Sequence, residues 1–273
     1  MRFRKDFLKV YLEKNLMFLK NTNFYDKIKK IMEAVMKKII KILLCLVFLF
    51  CSIYFIDDYY NKEKVNEETK VIKKIENFNE TVDMTSLKNL YNNDDIVLYL
   101  EIPGLFEIPI VKTNDNEFYL SHDIFLKESK FGWPFLDYRN DLSNDKKLLI
   151  YGHNSTKQEL EFTNLIKYEN EDFYKENKYI NIYTENEKKT YEIFSSYVEN
   201  EDFDYVNLND FNGLTYLEHI KKLKNKSIYQ TDVELNEDSN IIILQTCTFN
   251  NSYSGNQKYH LVIGVERDEL KNE

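Results

Sequence analysis

The sequence predicts a mainly β fold: a closed or nearly closed barrel with helices on its N-terminal side and one helix inserted before the last two strands. A single transmembrane helix is predicted ahead of the barrel. Three observations carry this. Short apolar runs of strand length recur between residues 96 and 265. One segment among them switches to helical spacing. Only one apolar run in the 273 residues is long enough to cross a bilayer.

The N-terminal part is basic and the rest is acidic. Residues 1–41 hold 12 Lys/Arg and 4 Asp/Glu, a net of +8; residues 42–273 hold 25 and 42, a net of −17. An acidic body argues against nucleic-acid binding, which needs a basic face to neutralise phosphates. With 43% hydrophobic residues, 6 Gly and 3 Pro, the chain is neither disordered nor collagen-like. Met36 opens MKKIIKILL, the pattern of a natural start, so residues 1–35 read as an upstream, helix-permissive extension.

The apolar run covers residues 39–56, interrupted by Lys41 and softened by Ser52. Eighteen helical residues span about 27 Å, close to the hydrocarbon thickness of a bilayer. Lys37, Lys38 and Lys41 precede or interrupt it and Asp57 and Asp58 follow. The positive-inside bias then puts the N-terminus in the cytoplasm and the acidic body outside. No small-residue cleavage pattern follows the run, so it reads as an uncleaved anchor.

Residues 57–82 are charged, with Val65, Ile72, Ile75 and Phe78 at roughly helical spacing, which predicts a juxtamembrane stalk. A second short helix is predicted over 84–91. Strands follow at 96–102, 108–112, 147–151, 179–183, 190–198, 241–246 and 259–265. The pair 179–183 and 190–198 alternates well across a polar loop and reads as a hairpin. The IIIL run at 241–244 is continuously apolar, as a central strand would be. Leu214, Leu217, Ile220 and Leu223 mark the inserted amphipathic helix.

Cys45 and Cys51 lie inside the apolar run, which leaves Cys247 as the one cysteine outside it. An unpaired cysteine on an exported body is a candidate reactive thiol, or a buried, inert small hydrophobe. It ends the IIIL strand in LQTCTF. Of the four histidines, His219 falls on the inserted helix and reads as a surface residue, and His122 falls in a loop. His153 follows the strand LLIY in YGHN. A Cys and a His at two strand ends can perform thiol catalysis, with the imidazole pairing with the thiolate and passing a proton to a leaving amine. There is no CxxC, HxxxH, HExxH, GxGxxG or Walker pattern, so neither a metal nor an organic cofactor is expected.

These motifs together resemble a known family. LEIPGLFEIPIV, DNEFYLSHD, FLDYRND, LLIYGHN, FYKENKYINIYT, YEIFSSY and IIILQTCT occur in the order found in the sortases, over residues 96–265. FLDYRND and the helix before the Cys strand are similar to class B members. The resemblance implies a sortase-type closed barrel of about eight strands, divided as a cytoplasmic basic extension (1–38), an anchor (39–56), a helical stalk (57–93) and a catalytic domain (94–273). It implies that Cys247 is the nucleophile and His153 the acid/base. The family also carries an Arg ahead of a β-branched run on the strand after the Cys. Here that stretch is GNQKYHLVIGVER, and Lys258 takes the Arg position, with His260 as the second choice and Arg139 and Arg267 farther off. Lys keeps the charge but loses the forked, two-bond geometry.

The implied activity is cysteine transpeptidation without metal or cofactor. The thiolate opens a C-terminal sorting signal of an exported surface protein, of Asn-Pro-x-Thr type, and a peptidoglycan precursor or cross-bridge amine resolves the acyl-thioester. The implied setting is a Gram-positive cell membrane, single-pass, with the catalytic domain outside facing the cell wall. A pilin polymerase or cysteine peptidase on the same scaffold, or a catalytically weak binding module, are the alternatives.

Overall fold

The computed structural model describes residues 11–15, 17, 26–56, 82–155, 160–248 and 258–267. The chain divides into two compact units, residues 1–66 and 67–273. The first contains helix α1 (Asp26–Ile56), 31 residues long and therefore well beyond the predicted apolar run at its N-terminal side. Its apolar side chains are exposed along its length, and by length and composition it can cross a membrane. The predicted stalk residues Val65, Ile72, Ile75 and Phe78 lie outside the described residues.

The second unit is built on a closed eight-stranded barrel. Its strands are β1 (Ile96–Ile102), β2 (Phe106–Val111), β3 (Phe135–Leu136), β4 (Lys147–Gly152), β5 (Tyr179–Tyr183), β6 (Lys188–Glu199), β7 (Ile241–Cys247) and β8 (Tyr259–Arg267). They run around the barrel as β1-β2-β3-β4-β7-β8-β6-β5, and β5 closes on β1. Two pairs are parallel, β2 with β3 and β4 with β7; the others are antiparallel. Seven of the eight strands match the predicted runs. Strand β3 has two residues, too few for any alternation to register.

Alternation sorts the apolar residues into layers. Leu98, Leu100, Ile108, Ile110, Leu148, Ile150, Ile182, Ile242, Leu244 and Val262 fill the barrel interior. Leu149, Ile241, Ile243, Leu261 and Ile263 point the other way, under helix α4 (Tyr216–Asn225). A third cluster sits under helix α2 (Met84–Tyr91), where Met84, Leu87 and Tyr91 pack with Ile96, Val111 and Tyr119. Being buried on both faces, β7 is apolar at every position from 241 to 244.

Helix α4 begins with a capping box, Thr215 and Glu218 each bonding the other's backbone. Its buried stripe is His219, Ile220 and Leu223, with Tyr216 one turn before. This departs from the predicted stripe: Leu214 precedes the cap and is exposed. Between β4 and β5 lie two elements the apolar pattern does not announce, a 3₁₀ helix (Glu161–Glu169) and helix α3 (Glu171–Glu176). Phe162, Leu165 and Tyr168 recur at a three-residue period, which is the 3₁₀ repeat, and all three are buried.

Candidate active site

Strands β4 and β7 lie parallel and in register from Lys147 opposite Ile241 to Gly152 opposite Thr246. His153 follows Gly152 and Cys247 follows Thr246. One further step along both chains therefore brings His153 and Cys247 to the ends of adjacent strands. Asn154 ties the two ends together, its Nδ2 donating to the Cys247 carbonyl at 2.7 Å. Residues far apart in the sequence are thus brought to the same end of the barrel, because parallel pairing aligns the C-terminal ends of the two strands.

The backbone under His153 is shaped by close packing. The Phe162 ring presses so tightly on Gly152 that a Cβ there would collide with it. Gly132 has φ +57, and a Cβ on it would collide with the Tyr119 carbonyl and lie 3.0 Å from His153 Cδ2. His153 Nε2 is 3.1 Å from the Leu120 carbonyl. The ring borders a cleft of about 250 Å³ lined also by Ser129, Trp133, Leu160 and Phe162.

Cys247 is half-buried, and burial pushes its thiol above the ordinary cysteine value. Burial thus disfavours the reactive thiolate, and a neighbouring base or cation is what would offset it. Strand β8 supplies the other side of the thiol. Tyr259 is paired directly with Cys247, and the next rung is a hydrogen bond from Thr248 N–H to the Lys258 carbonyl at 3.1 Å. Tyr259 thus shares the face of Cys247, and Lys258 sits one step farther toward the open end, half-buried.

The other candidates are engaged elsewhere. His260 is wholly buried inside the barrel, with Nε2 2.9 Å from Ser196 Oγ. Arg267 stands at the far end of β8 and donates from Nε to Glu192 at 2.8 Å. Arg139 grips Asp137 with Nε and Nη2 at 2.8 and 2.7 Å. Sequence reasoning missed this last network. Asp137 is fully buried and also accepts from Tyr151 Oη at 2.8 Å and Asn116 Nδ2 at 3.1 Å. Burial works to raise its pKa, but the bonds from Arg139 and Tyr151 outweigh it and hold the carboxyl below the ordinary carboxylate range. Tyr151 lies two residues before His153 on the same strand face, so the network braces the strand that carries the imidazole. The Asp-x-Arg spacing inside FLDYRND is the available signal.

One expectation is overturned. His219 is not a surface residue but 1% exposed, its ring stacked on Phe211 at 4.5 Å and its Nε2 2.9 Å from Lys147 Nζ. Leucine and isoleucine spacing alone misses that His219 occupies the inward i+3 position of the α4 stripe. Among the described residues no three His, Cys, Asp or Glu side chains come close enough to hold a metal ion.

Known proteins share this fold. The Sortase domain family matches residues 100–265, more than half the chain. The chain belongs to the sortase family. Sortase B of Listeria monocytogenes is 30% identical over 163 residues, covering 59% of this chain and 66% of that protein, just under two thirds of its length. The crystal structure of Clostridium perfringens sortase B superposes with a TM-score of 0.62 at 31% identity, covering 68% of this chain and all of that one. A sortase B crystallised with triglycine gives 0.65 at 25% identity, covering 76% and 98%. Sortases are cysteine transpeptidases, and the relatives place this sortase in class B.

Proposed function

We propose that this sortase uses Cys247 and His153 to cut a sorting signal and transfer the new carboxyl end to an amine. The Cys247 thiolate attacks a backbone carbonyl of the signal. The amide C–N bond breaks, and His153 gives a proton to the departing amine, leaving an acyl-thioester on Cys247. An incoming amine then attacks the thioester, loses its proton to His153 and releases the Cys247 thiolate, which restores the starting pair. One observation supports this reading: the in-register parallel pairing of β4 and β7, which ends on adjacent strands immediately before His153, a residue lining the cleft, and at Cys247.

Lys258 is assigned the cationic role near the developing oxyanion, one rung beyond the Cys247–Tyr259 pair. An ammonium on a flexible stem can reach the mouth of the site but offers a point charge rather than a fork. The donor is a surface protein with an Asn-Pro-x-Thr-type C-terminal signal, and the acceptor is an amine of a peptidoglycan precursor or cross-bridge. The triglycine-bound relative supports a peptide amine as acceptor. Residues 39–56 anchor the enzyme, residues 57–93 connect it, and residues 94–273 work on the outer face of a Gram-positive membrane, with residues 1–38 in the cytoplasm.

The test is incubation of the full chain in detergent with an Asn-Pro-x-Thr peptide and triglycine. A ligated product that is absent with Cys247→Ala supports the reading. Hydrolysis without ligation would favour a peptidase, and no turnover of any sorting-signal peptide would refute it.

A further inference from the structure

We propose that His260 is a positioning residue for Cys247, holding the wall of the cleft, through Glu169, to β8, the strand paired with the thiol-bearing β7. The proposal rests on the reading of Cys247 and His153 above. His260 sits on the inward face of β8, where Val262 two residues on is apolar and where a plain hydrophobe would cost less to bury. A polar ring there has to be held by what it touches. Its Nε2 is 2.9 Å from Ser196 Oγ on β6, and its Nδ1 is 3.5 Å from Glu169 Oε1. That Nδ1 is buried and makes no hydrogen bond of ordinary geometry, so the carboxylate acts on it as a nearby charge at 3.5 Å. A ring carrying its proton on Nδ1 accepts from the serine hydroxyl and directs the N–H at the carboxylate.

The position of this contact gives it a role. Thr246, the residue before Cys247, is the register partner of His260 on the same inward face. Glu169 ends the 3₁₀ helix Glu161–Glu169. That helix begins with the Phe162 ring pressed on Gly152, the residue before His153. One short helix therefore touches the β4 end beneath His153 with its first turn and the β8 end beside Cys247 with its last. The first contact is apolar and tightly packed. The second includes the His260–Glu169 pair, which joins a fully buried ring to a carboxylate that stays 29% exposed. Loosening it shifts one wall of the cleft against the pair of strand ends, and small misplacements of reacting groups are expensive in rate.

Two substitutions separate the ring's two contacts. Asn places its amide nitrogen near the position of Nδ1, whereas Gln places it near Nε2. In the full chain, His260→Gln should lower kcat about tenfold with KM changed less than about twofold, and should slow site-resolved alkylation of Cys247 to a similar degree. His260→Asn should keep kcat within about threefold of wild type, because it keeps the donor that faces Glu169. Glu169→Gln, at a partly exposed position where folding is secure, should reproduce the His260→Gln loss, and the double variant should lose no more than either single one. Equal losses for Asn and Gln, a loss confined to KM, full activity of Glu169→Gln, or additive losses in the double variant would overturn the proposal. A wild-type enzyme inactive on every peptide would instead overturn the functional reading, while the alkylation rates would still report on positioning.

Discussion

The two ends of the β4–β7 strand pair carry similar residues and have opposite properties. At the start of β4, Lys147 lies beside His219 of α4, and both are at most 2% exposed. Just past its end, His153 lines a cleft, and Cys247 ends the neighbouring strand. Each end joins an imidazole to a potential nucleophile. At the first, Lys147 Nζ donates to the Asn207 carbonyl at 2.7 Å and lies over the Phe211 ring, and α4 seals the site. Burial pulls Lys147 down to about 7 and His219 down to about 3, so the charged forms of both are disfavoured, and α4 keeps the pair from any substrate. At the second, the paired strands stop, both residues stay partly exposed, and His153 borders the cleft. The chemistry of a residue pair is decided by whether the fold ends or continues beyond it.

The largest expected effect tests the open end. His153→Gln should lower kcat/KM for peptide transfer by about 10²–10⁴-fold, with the melting temperature nearly unchanged, because it removes the proton shuttle at a strand end that bears little packing. Steady-state kinetics beside a thermal melt checks this. A loss of tenfold or less, or a collapse in stability, would put the imidazole on the structural side of the comparison.

Next in size is the cation. Lys258→Ala should lower kcat/KM by about 10²-fold, in line with loss of one oxyanion donor, and Lys258→Arg should retain or raise it. Tyr259→Phe should be nearly silent if Tyr259, which shares the face of Cys247, serves only as a wall. If Lys258→Ala is silent and Tyr259→Phe is not, the donor is the phenol that β8 sets across from the thiol.

The pH dependence of the thiol sharpens the same end. Burial holds Cys247 above the ordinary cysteine value, so its alkylation rate should still be climbing between about pH 7 and 9, by roughly tenfold per unit in the limit. A plateau already reached at neutral pH would mean that a cation offsets the burial.

The smallest effect belongs to the sealed end. Lys147 is lowered in the folded state, so the unfolded chain binds the extra proton between about 7 and the ordinary lysine value. Stability contributed through this group must therefore rise with pH across that window and stay flat below it. Chemical denaturation of wild type and Lys147→Met should differ by a pH slope of up to about 1.4 kcal/mol per unit there, with kcat/KM unchanged. Equal slopes would mean that Lys147 stays charged when folded.

Much of this molecule is legible because strand alternation and motif order are local signals. The runs that form β1, β5 and β7, the short helix at 84–91, and the strand-end setting of Cys247 and His153 all follow from residues read in sequence. The rest depends on pairing across long separations. Strand β3 has two residues and exists only because β2 and β4 flank it. The register that makes Tyr259 rather than Lys258 the direct neighbour of Cys247 is set by β7 against β8. His219 reads as a surface residue because its charged and polar neighbours on α4 suggest solvent, whereas its partner Lys147 lies 72 positions away. The Asp137–Arg139–Tyr151 brace is hidden for the same reason.

A nucleophilic Cys247 must carry the cut peptide as an acyl-thioester during turnover. Intact-mass analysis of the full chain, quenched in acid during turnover of a sorting-signal peptide without acceptor amine, tests this directly. The expected result is a mass increase equal to the N-terminal fragment of the peptide. It should map to Cys247, be released by hydroxylamine or triglycine, and be absent from Cys247→Ala. Peptide cleavage with no adduct on Cys247, or an adduct that survives the Ala substitution, would contradict it.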